Sequence, residues 1–198
     1  MTAQYLLRLT TNVRSGDTVL VHAAAGGVGL FICQWAKHLG ATVIGTVGTD
    51  EKAALATAHG CDHPAVYARD DFLPVVQDVT KGMGCASVYD SVGADTIERS
   101  WQSVRPQGTV ASFGQASGPI TPDQLAKQPA DRYFIRTTLQ AYNATRTDLL
   151  ANVREFFGVV ERGAVKITVG QTFALKDAAK AHAALIGRQT TGPTVLKP

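Results

Sequence analysis

A short glycine turn between an apolar strand and a helix constrains this chain more than any other feature. Residues 18–23 read as a buried strand, Ala24-x-Gly26-x-x-Gly29 as the turn, and 27–39 as the helix. The first turn of a helix exposes unpaired N–H groups and a partial positive charge, and glycine lets a phosphate approach them. Gly29 would let the helix pack closely on the strand. The pattern is typical of a dinucleotide-binding turn, with alanine replacing its first glycine.

The context decides between this interpretation and an ordinary helix cap after a buried strand. A second strand at 42–47 follows the helix, so the strand–helix–strand unit spans about 30 residues, as dinucleotide binding requires. Several glycine patterns would arise by chance in a chain with 19 glycines. The spacing of the flanking elements nevertheless favours dinucleotide binding.

The end of the second strand indicates which dinucleotide is preferred. NAD-specific sites place Asp or Glu there, about 20 residues after the glycines, to bind the ribose 2′-hydroxyl. Here the strand ends Val43-Ile-Gly-Thr-Val-Gly48 without a carboxylate, while Asp50 and Glu51 read as first-turn residues of a helix capped by Thr49. Lys52 lies in the same turn and could face a 2′-phosphate; alone it could equally be a solvated helix lysine. The combination favours NADP.

Composition excludes several other classes of protein. The 198 residues suffice for one domain with a full core, or a domain with an appendage. The net charge of +3 is small and the cations are scattered, so no nucleic-acid partner is expected. No membrane-spanning stretch or signal peptide is apparent. The three cysteines have no metal-like spacing and read as core residues, so we expect no metal site and a reducing, cytoplasmic location.

Alternating strands and helices predict an α/β fold with a doubly wound parallel sheet of about six strands, a Rossmann domain. After an opening helix at 3–9, the elements alternate through residue 113, and a loop with at most a short helix covers 114–131. The predicted strands are 18–23, 42–47, 63–67, 86–91, 109–113 and 133–139. The predicted helices between and after them are 27–39, 50–58, 70–79, 94–104 and 147–162.

The carboxyl-terminal part of the chain changes character. A short strand at 166–169, a helix at 176–186 and a strand at 194–196 do not extend the strand–helix series. We therefore divide the chain into a dinucleotide-binding domain, 1–164, and an appendage, 165–198.

Three polar or aromatic residues are assigned to the core rather than to chemistry. Trp35 shares the apolar face of the first long helix. His22 lies on the buried first strand and reads as a histidine with satisfied hydrogen bonds, and Asp90 reads as a strand-end residue that caps the next turn. No histidine pairs with a Ser or Cys in a nucleophilic pattern, so no catalytic residue is assigned. A nicotinamide cofactor supplies its own chemistry, which keeps an oxidoreductase open.

Several separated blocks resemble the quinone oxidoreductases of the zeta-crystallin type, zinc-independent members of the medium-chain dehydrogenase/reductase superfamily. The blocks are His22-Ala-Ala-Ala-Gly-Gly-Val-Gly29 with Gln34-Trp-Ala-Lys37, Gly45-Thr-Val-Gly-Thr49 with Lys52, Val88-Tyr-Asp-Ser-Val-Gly93, Ser112-Phe-Gly114 and Leu175-Lys-Asp-Ala-Ala-Lys-Ala-His182. The resemblance implies NADPH-dependent reduction of quinones by a homodimer in which the strand at 133–139 pairs with its copy across a two-fold axis.

The resemblance also implies roles for individual residues. The pyrophosphate would lie on Gly26, Gly27 and Val28. The residues implied at the 2′-phosphate and adenosine end are Gly48, Thr49, Lys52, Tyr67 and Arg188. Those implied beside the rest of the cofactor are Ser91, Phe113 and Gly114, with Leu139 and Gln140 near the nicotinamide carboxamide. Tyr67 could instead be an ordinary strand-end tyrosine, and Arg188 an ordinary surface arginine.

Members of the family begin with a catalytic domain of about 120 residues that precedes the region resembled here. The appendage 165–198 would normally pack on that domain. The sequence is thus either a cofactor domain cut from a longer protein or a natural short protein, and we expect weakened NADPH binding with poor or absent turnover. A nucleotide-binding module without turnover and another medium-chain NADP-dependent reductase stay open as alternatives.

Overall fold

The computed structural model describes residues 1–67 and 69–198 and contains a six-stranded parallel sheet with the order β3-β2-β1-β4-β5-β6. Strands β1 to β3 follow one another toward one edge of the sheet, and β4 to β6 follow one another toward the other edge. This strand order confirms the predicted Rossmann fold. The strands are β1 Thr18–Val21, β2 Thr42–Val47, β3 His63–Val66, β4 Cys85–Asp90, β5 Val104–Ser112 and β6 Tyr133–Arg136.

Helices cover both faces of this sheet. A short helix α1, Thr2–Gln4, continues as a π-helical turn, Tyr5–Thr10. The others in this domain are α2 Gly27–His38, α3 Asp50–Ala58, α4 Phe72–Thr80, α5 Ile97–Ser103, α6 Pro122–Ala126, α7 Leu139–Tyr142 and α8 Arg146–Glu161. No helix in residues 1–67 and 69–198 is long and apolar enough to cross a membrane.

The core consists of one apolar cluster on each face of the sheet. Alternation along β1 sends Val19 and Val21 to one cluster and Leu20 to the other, because successive strand residues point to opposite faces. Trp35 belongs to the first cluster and is 1% exposed, which confirms it as a core residue. All three cysteines are buried and unpaired, also as expected.

The sixth strand is shorter than predicted. It ends at Arg136, and the Thr138 hydroxyl accepts a hydrogen bond from the Ala141 amide at 3.3 Å, which starts helix α7. The apolar pattern of 133–139 concealed this cap, since Thr is also a common strand residue. Leu139 and Gln140 therefore lie in the first turn of a helix.

The appendage forms a separate two-stranded parallel sheet. Its strands are β7, Gln171–Ala174, and β8, Thr194–Lys197, joined by a 3-10 turn and helix α9, Ala178–Ile186. The strand predicted at 166–169 was wrong, because Lys166 instead exchanges two hydrogen bonds with the Gln34 side chain. Several large apolar side chains of the appendage are exposed, namely Ile167, Val169, Leu175, Leu185, Ile186 and Leu196.

The glycine turn brings α2 into close contact with the end of β1. Gly26 is the N-cap of α2, and Ala23 adopts a left-handed φ of 53° to reverse the chain. A Cβ at Gly29 would lie 2.3 Å from the Ala23 carbonyl oxygen and 2.7 Å from that of Ala24. Only glycine fits this position, as the sequence pattern predicts.

We expect Gly29→Ala to lower the free energy of unfolding by about 1–3 kcal/mol, because the added methyl group meets backbone atoms that cannot move away. Gly158→Ala in α8 is the matched control. Its Cβ would meet only the end of the flexible Arg162 side chain, at 3.3 Å. The control should gain about 0.5–1 kcal/mol from helix propensity. Urea unfolding followed by circular dichroism measures both, and equal stability of Gly29→Ala and wild type would contradict the close packing.

Candidate functional site

A cavity of about 320 Å³ opens at the carboxyl edge of the sheet, next to the glycine turn. It lies over the ends of β1, β2 and β4, where the strand order reverses. Ligands of doubly wound sheets bind at this position because two adjacent loops diverge there and leave a crevice. Six of the residues expected at a cofactor line it: Gly26, Gly48, Lys52, Tyr67, Ser91 and Arg188.

The amino terminus of α2 forms one wall of this cavity. The Gly26 amide is bonded to the Ala23 carbonyl at 2.9 Å. Helix geometry leaves the amides of Gly27, Val28 and Gly29 without intrahelical acceptors, and their dipoles add to the positive end of the helix. The wall thus suits a phosphate group.

A second wall brings two basic residues together. Lys52 is partly buried in the first turn of α3, and its ammonium group donates to the Arg188 carbonyl oxygen at 2.6 Å. Thr49 caps α3 by accepting the Lys52 amide at 3.3 Å, as the sequence predicts. Asp50 is engaged by Arg69 at 3.1 Å. The positive end of α3 and the Lys52 ammonium group contribute positive charge to this end of the cavity. Arg188 lines the cavity too, as do two carboxylate residues, Asp70 and Asp95.

Tyr67 closes the same end. A Cβ at Gly48 would lie 3.0 Å from the Tyr67 hydroxyl, so the tyrosine lies directly over the end of β2. The Tyr67 ring is 51% exposed and is available for contact with a ligand. Arg188 has a left-handed φ of 56°, an unusual conformation for a residue with a side chain.

A neighbouring cavity of about 420 Å³ contains Leu139 and Gln140, the two residues expected near the nicotinamide. Val28, expected at the pyrophosphate, and Ser91 and Phe113, expected beside the cofactor, also line it. Ser91 borders both cavities, so they adjoin at the end of β4. Gly114 lies just beyond Phe113, and a Cβ there would be 2.7 Å from the Ser91 carbonyl, which shows how closely the ends of β4 and β5 approach.

Three of the expected residues, Gly27, Thr49 and Gly114, do not line either cavity. Gly27 faces the appendage, where a Cβ would lie 3.5 Å from the Gly192 carbonyl and from Pro193. The Gly192 amide also donates to the Ala25 carbonyl at 3.0 Å. Thr49 serves as the α3 cap described above. Gly27 and Thr49 thus support the walls rather than form the lining.

Sequence reasoning missed part of the lining. Phe72 and Arg99 border the cavity from α4 and α5, with the guanidinium 5.4 Å from the ring centroid. Asp95, Thr96 and Thr190 also line it. The position of α5 directly after β4 was the available signal, since the first turn of such a helix lies at the same edge of the sheet.

His22 and Asp90 are both buried structural residues, which confirms both assignments, although His22 also contributes to the cavity lining. The His22 ring is within hydrogen-bond distance of the Thr46 and Ser100 hydroxyls, and burial lowers its pKa while the Asp90 charge opposes that shift. Asp90 accepts the amides of Val92 and Gly93, so it caps the turn after β4. Within residues 1–67 and 69–198 no three His, Cys, Asp or Glu side chains cluster in a way that could hold a metal ion.

Residues 27–160 match the zinc-binding dehydrogenase family, a stretch that begins inside the glycine turn, at Gly27, and includes strands β2 to β6. The chain belongs to this family.

Individual members of the zinc-binding dehydrogenase family confirm the expected resemblance to medium-chain quinone oxidoreductases. A quinone oxidoreductase from Pseudomonas aeruginosa is 50% identical over 200 residues, covering 100% of this chain and 62% of the relative. A 2-haloacrylate reductase from Burkholderia is 44% identical over 201 residues, covering 100% of this chain and 60% of the relative. The crystal structure of Escherichia coli quinone oxidoreductase complexed with NADPH superposes with a TM-score of 0.94 at 41% identity, covering 100% of this chain and 62% of that one. The chain thus spans about three fifths of these proteins.

Proposed function

We propose that this chain is the NADPH-binding part of an oxidoreductase that reduces quinones. The observation that carries the proposal is the pairing of two anion-binding walls in one cavity, the α2 amino terminus and the end formed by Lys52 and Arg188. NADPH carries a pyrophosphate and a ribose 2′-phosphate, one anionic group for each wall. The E. coli relative, whose structure contains NADPH, supports the choice of cofactor.

The residues present fit this cofactor. Gly26 leaves the pyrophosphate wall without a side chain, Gly29 lets α2 approach β1, and the end of β2 lacks the carboxylate that would repel a 2′-phosphate. Lys52 and Arg188 would bind the 2′-phosphate, and Tyr67 would cover the adenosine. Val28, Phe113, Leu139 and Gln140 would border the nicotinamide in the second cavity. NADPH, when bound, supplies the reducing equivalents, and the protein side chains orient it.

The acceptor is inferred from relatives. The P. aeruginosa and E. coli relatives are quinone oxidoreductases, whereas the Burkholderia relative reduces a haloacrylate. Two of these three relatives are quinone oxidoreductases, and we therefore infer a quinone as the acceptor. A different medium-chain NADP-dependent reductase is the second candidate, and it has the same cofactor site.

Cofactor preference can be tested at Lys52. We expect wild type to bind NADPH more tightly than NADH, and Lys52→Ala to weaken NADPH binding about 10- to 100-fold, because a charge-assisted hydrogen bond to phosphate is lost. NADH binding should change little. Lys127→Ala is the control, since it removes the same charge from an exposed ion pair with Glu98 on α5. Calorimetric titration measures all three proteins, and an unchanged NADPH affinity in Lys52→Ala would contradict the assignment.

Turnover distinguishes an enzyme from a nucleotide-binding module. We expect residues 1–198 alone to bind NADPH but to oxidise it with a benzoquinone at less than about 1 s⁻¹, the lower end of ordinary enzymes. The reason is that the relatives contain a further two fifths of their length, which would border the acceptor. Absorbance at the nicotinamide band follows the reaction, and ordinary steady-state rates would contradict this expectation.

The open edge of β6 supports a homodimer. In the six-stranded sheet β6 pairs with β5 on one side and is the end strand on the other, and Tyr133 on it is 58% exposed. Unpaired edge strands are templates for pairing with a second chain.

Light scattering should give twice the chain mass of 20.9 kDa, and Tyr133→Glu should reduce it toward the monomer. Met83→Glu, at another exposed apolar residue, is the control; a monomeric wild type would contradict the dimer.

A further inference from the structure

A buried chain of polar side chains links the two loops that border the proposed cofactor cavity. It contains Thr46 on β2, His22 directly after β1, Ser100 on α5 and Asp90 at the end of β4. None of the four is more than 3% exposed. We propose that this hydrogen-bond chain is a positioning device that holds the glycine turn and the loop after β4 in the register that binds the cofactor. The inference rests on the proposed function.

The distances define one continuous path. Thr46 Oγ1 is 3.0 Å from His22 Nδ1, and His22 Nε2 is 3.1 Å from Ser100 Oγ. Ser100 Oγ is 3.0 Å from Asp90 Oδ2. The residues are 24, 78 and 10 positions apart in the sequence, so the path ties together four different elements.

The chemistry of the groups sets the direction of donation. The Ser100 hydroxyl has one proton, and it must donate it, because its neighbours Asp90 Oδ2, at 3.0 Å, and the Thr96 carbonyl oxygen, at 3.1 Å, only accept. The Ser100 oxygen then accepts from His22 Nε2–H, which leaves Nδ1 to accept from the Thr46 hydroxyl. The path therefore requires the neutral tautomer of His22 with its proton on Nε2. Phe72 packs edge-on against the His22 ring at 5.1 Å and helps to keep this tautomer away from water.

Each end of the path holds a loop that borders a cavity. At one end Thr46 Oγ1 accepts the amide of Ala23, at 3.4 Å, the residue with the left-handed φ of 53°. At the other end Asp90 Oδ1 accepts the amides of Val92 at 2.8 Å and Gly93 at 2.9 Å. Ala23 and Val92 both line the main cavity. A shift of either loop would break a bond in the path.

The energy of burial explains why such a path would specify one arrangement. Polar groups removed from water are stable only when they are hydrogen-bonded, and a buried network with one bond missing is costly. An apolar core would tolerate small sliding movements of the loops. The polar path makes such movements costly, because each would leave a buried polar group without its hydrogen bond. A preformed cofactor site requires loops that are held in this way.

Ser100→Ala tests the inference because Ser100 lies outside the cavity lining, so any effect on binding must pass through its neighbours. We expect it to weaken NADPH and NADH binding by the same factor, about 2- to 30-fold, with the preference between them unchanged. Ser103→Ala is the matched control: it also removes a fully buried hydroxyl from α5, one that donates only along the helix, to the Arg99 carbonyl at 2.8 Å. Its affinities should equal those of wild type.

Thr46 provides an independent test if Ser100→Ala does not fold. Thr46 itself lines the cavity, so the comparison is between two of its variants. Thr46→Val removes the hydroxyl at constant shape and should weaken NADPH and NADH binding by the same factor, whereas Thr46→Ser keeps the hydroxyl and should retain both affinities. Nitrogen-15 NMR of the histidine rings reports, without any ligand, which ring nitrogen of His22 carries the proton. It should show the Nε2–H tautomer at neutral pH.

The outcomes separate the two proposals. A wild type that binds neither nucleotide overturns the proposed function and this inference with it. A wild type that binds NADPH, together with unchanged affinity in Ser100→Ala or an equal loss in Ser103→Ala, overturns this inference alone. The Nδ1–H tautomer of His22 would also overturn it, whatever the affinities.

Discussion

The close approach of α2 to the end of β1 is the constraint on which the site depends. Gly29 permits it, because a Cβ there would overlap the Ala23 carbonyl oxygen. The approach places the positive end of α2 at the carboxyl edge of the sheet, over the point where the strand order reverses. The α2 wall of the main cavity, the buried polar path and the contact with the appendage all meet at this turn.

The appendage contributes residues to the main cavity although it is far from the glycine turn in the sequence. The Gly192 amide bonds to the Ala25 carbonyl, and the Arg188 carbonyl accepts from Lys52, so the segment between α9 and β8 lies across the mouth of the cavity. The two parts have separate sheets but share these contacts, so the division into a domain at 1–164 and an appendage at 165–198 stays a prediction. The exposed large apolar side chains of the appendage lie just before β7, in the 3-10 turn after it, in α9 and in β8. We expect these side chains to pack against a region equivalent to the part of the relatives that this chain does not span.

The sequence predicted the sheet well because its strands are short, apolar and separated by strongly periodic helices. The same local signals located the glycine turn, the Thr49 cap and the capping role of Asp90. They failed where a side-chain cap competes with an apolar pattern, as at Thr138, and where a segment is fixed by a remote partner, as at Lys166 and Gln34.

The polar path lay beyond sequence reasoning for a physical reason. His22 and Ser100 are 78 residues apart, and nothing in either local pattern indicates that their side chains meet. The same holds for the lining contributed by Phe72 and Arg99, which adjoin only because α4 and α5 pack side by side. Contacts between crossover helices form only once the whole sheet is assembled, whereas the glycine turn depends on a few consecutive residues.

A crystal structure of this chain with NADPH tests the central claim most directly. The account predicts pyrophosphate oxygens within hydrogen-bond distance of the Val28 amide at the start of α2, and the 2′-phosphate beside the Lys52 ammonium group. Nucleotide bound elsewhere on the protein, with the glycine turn left free, would contradict it.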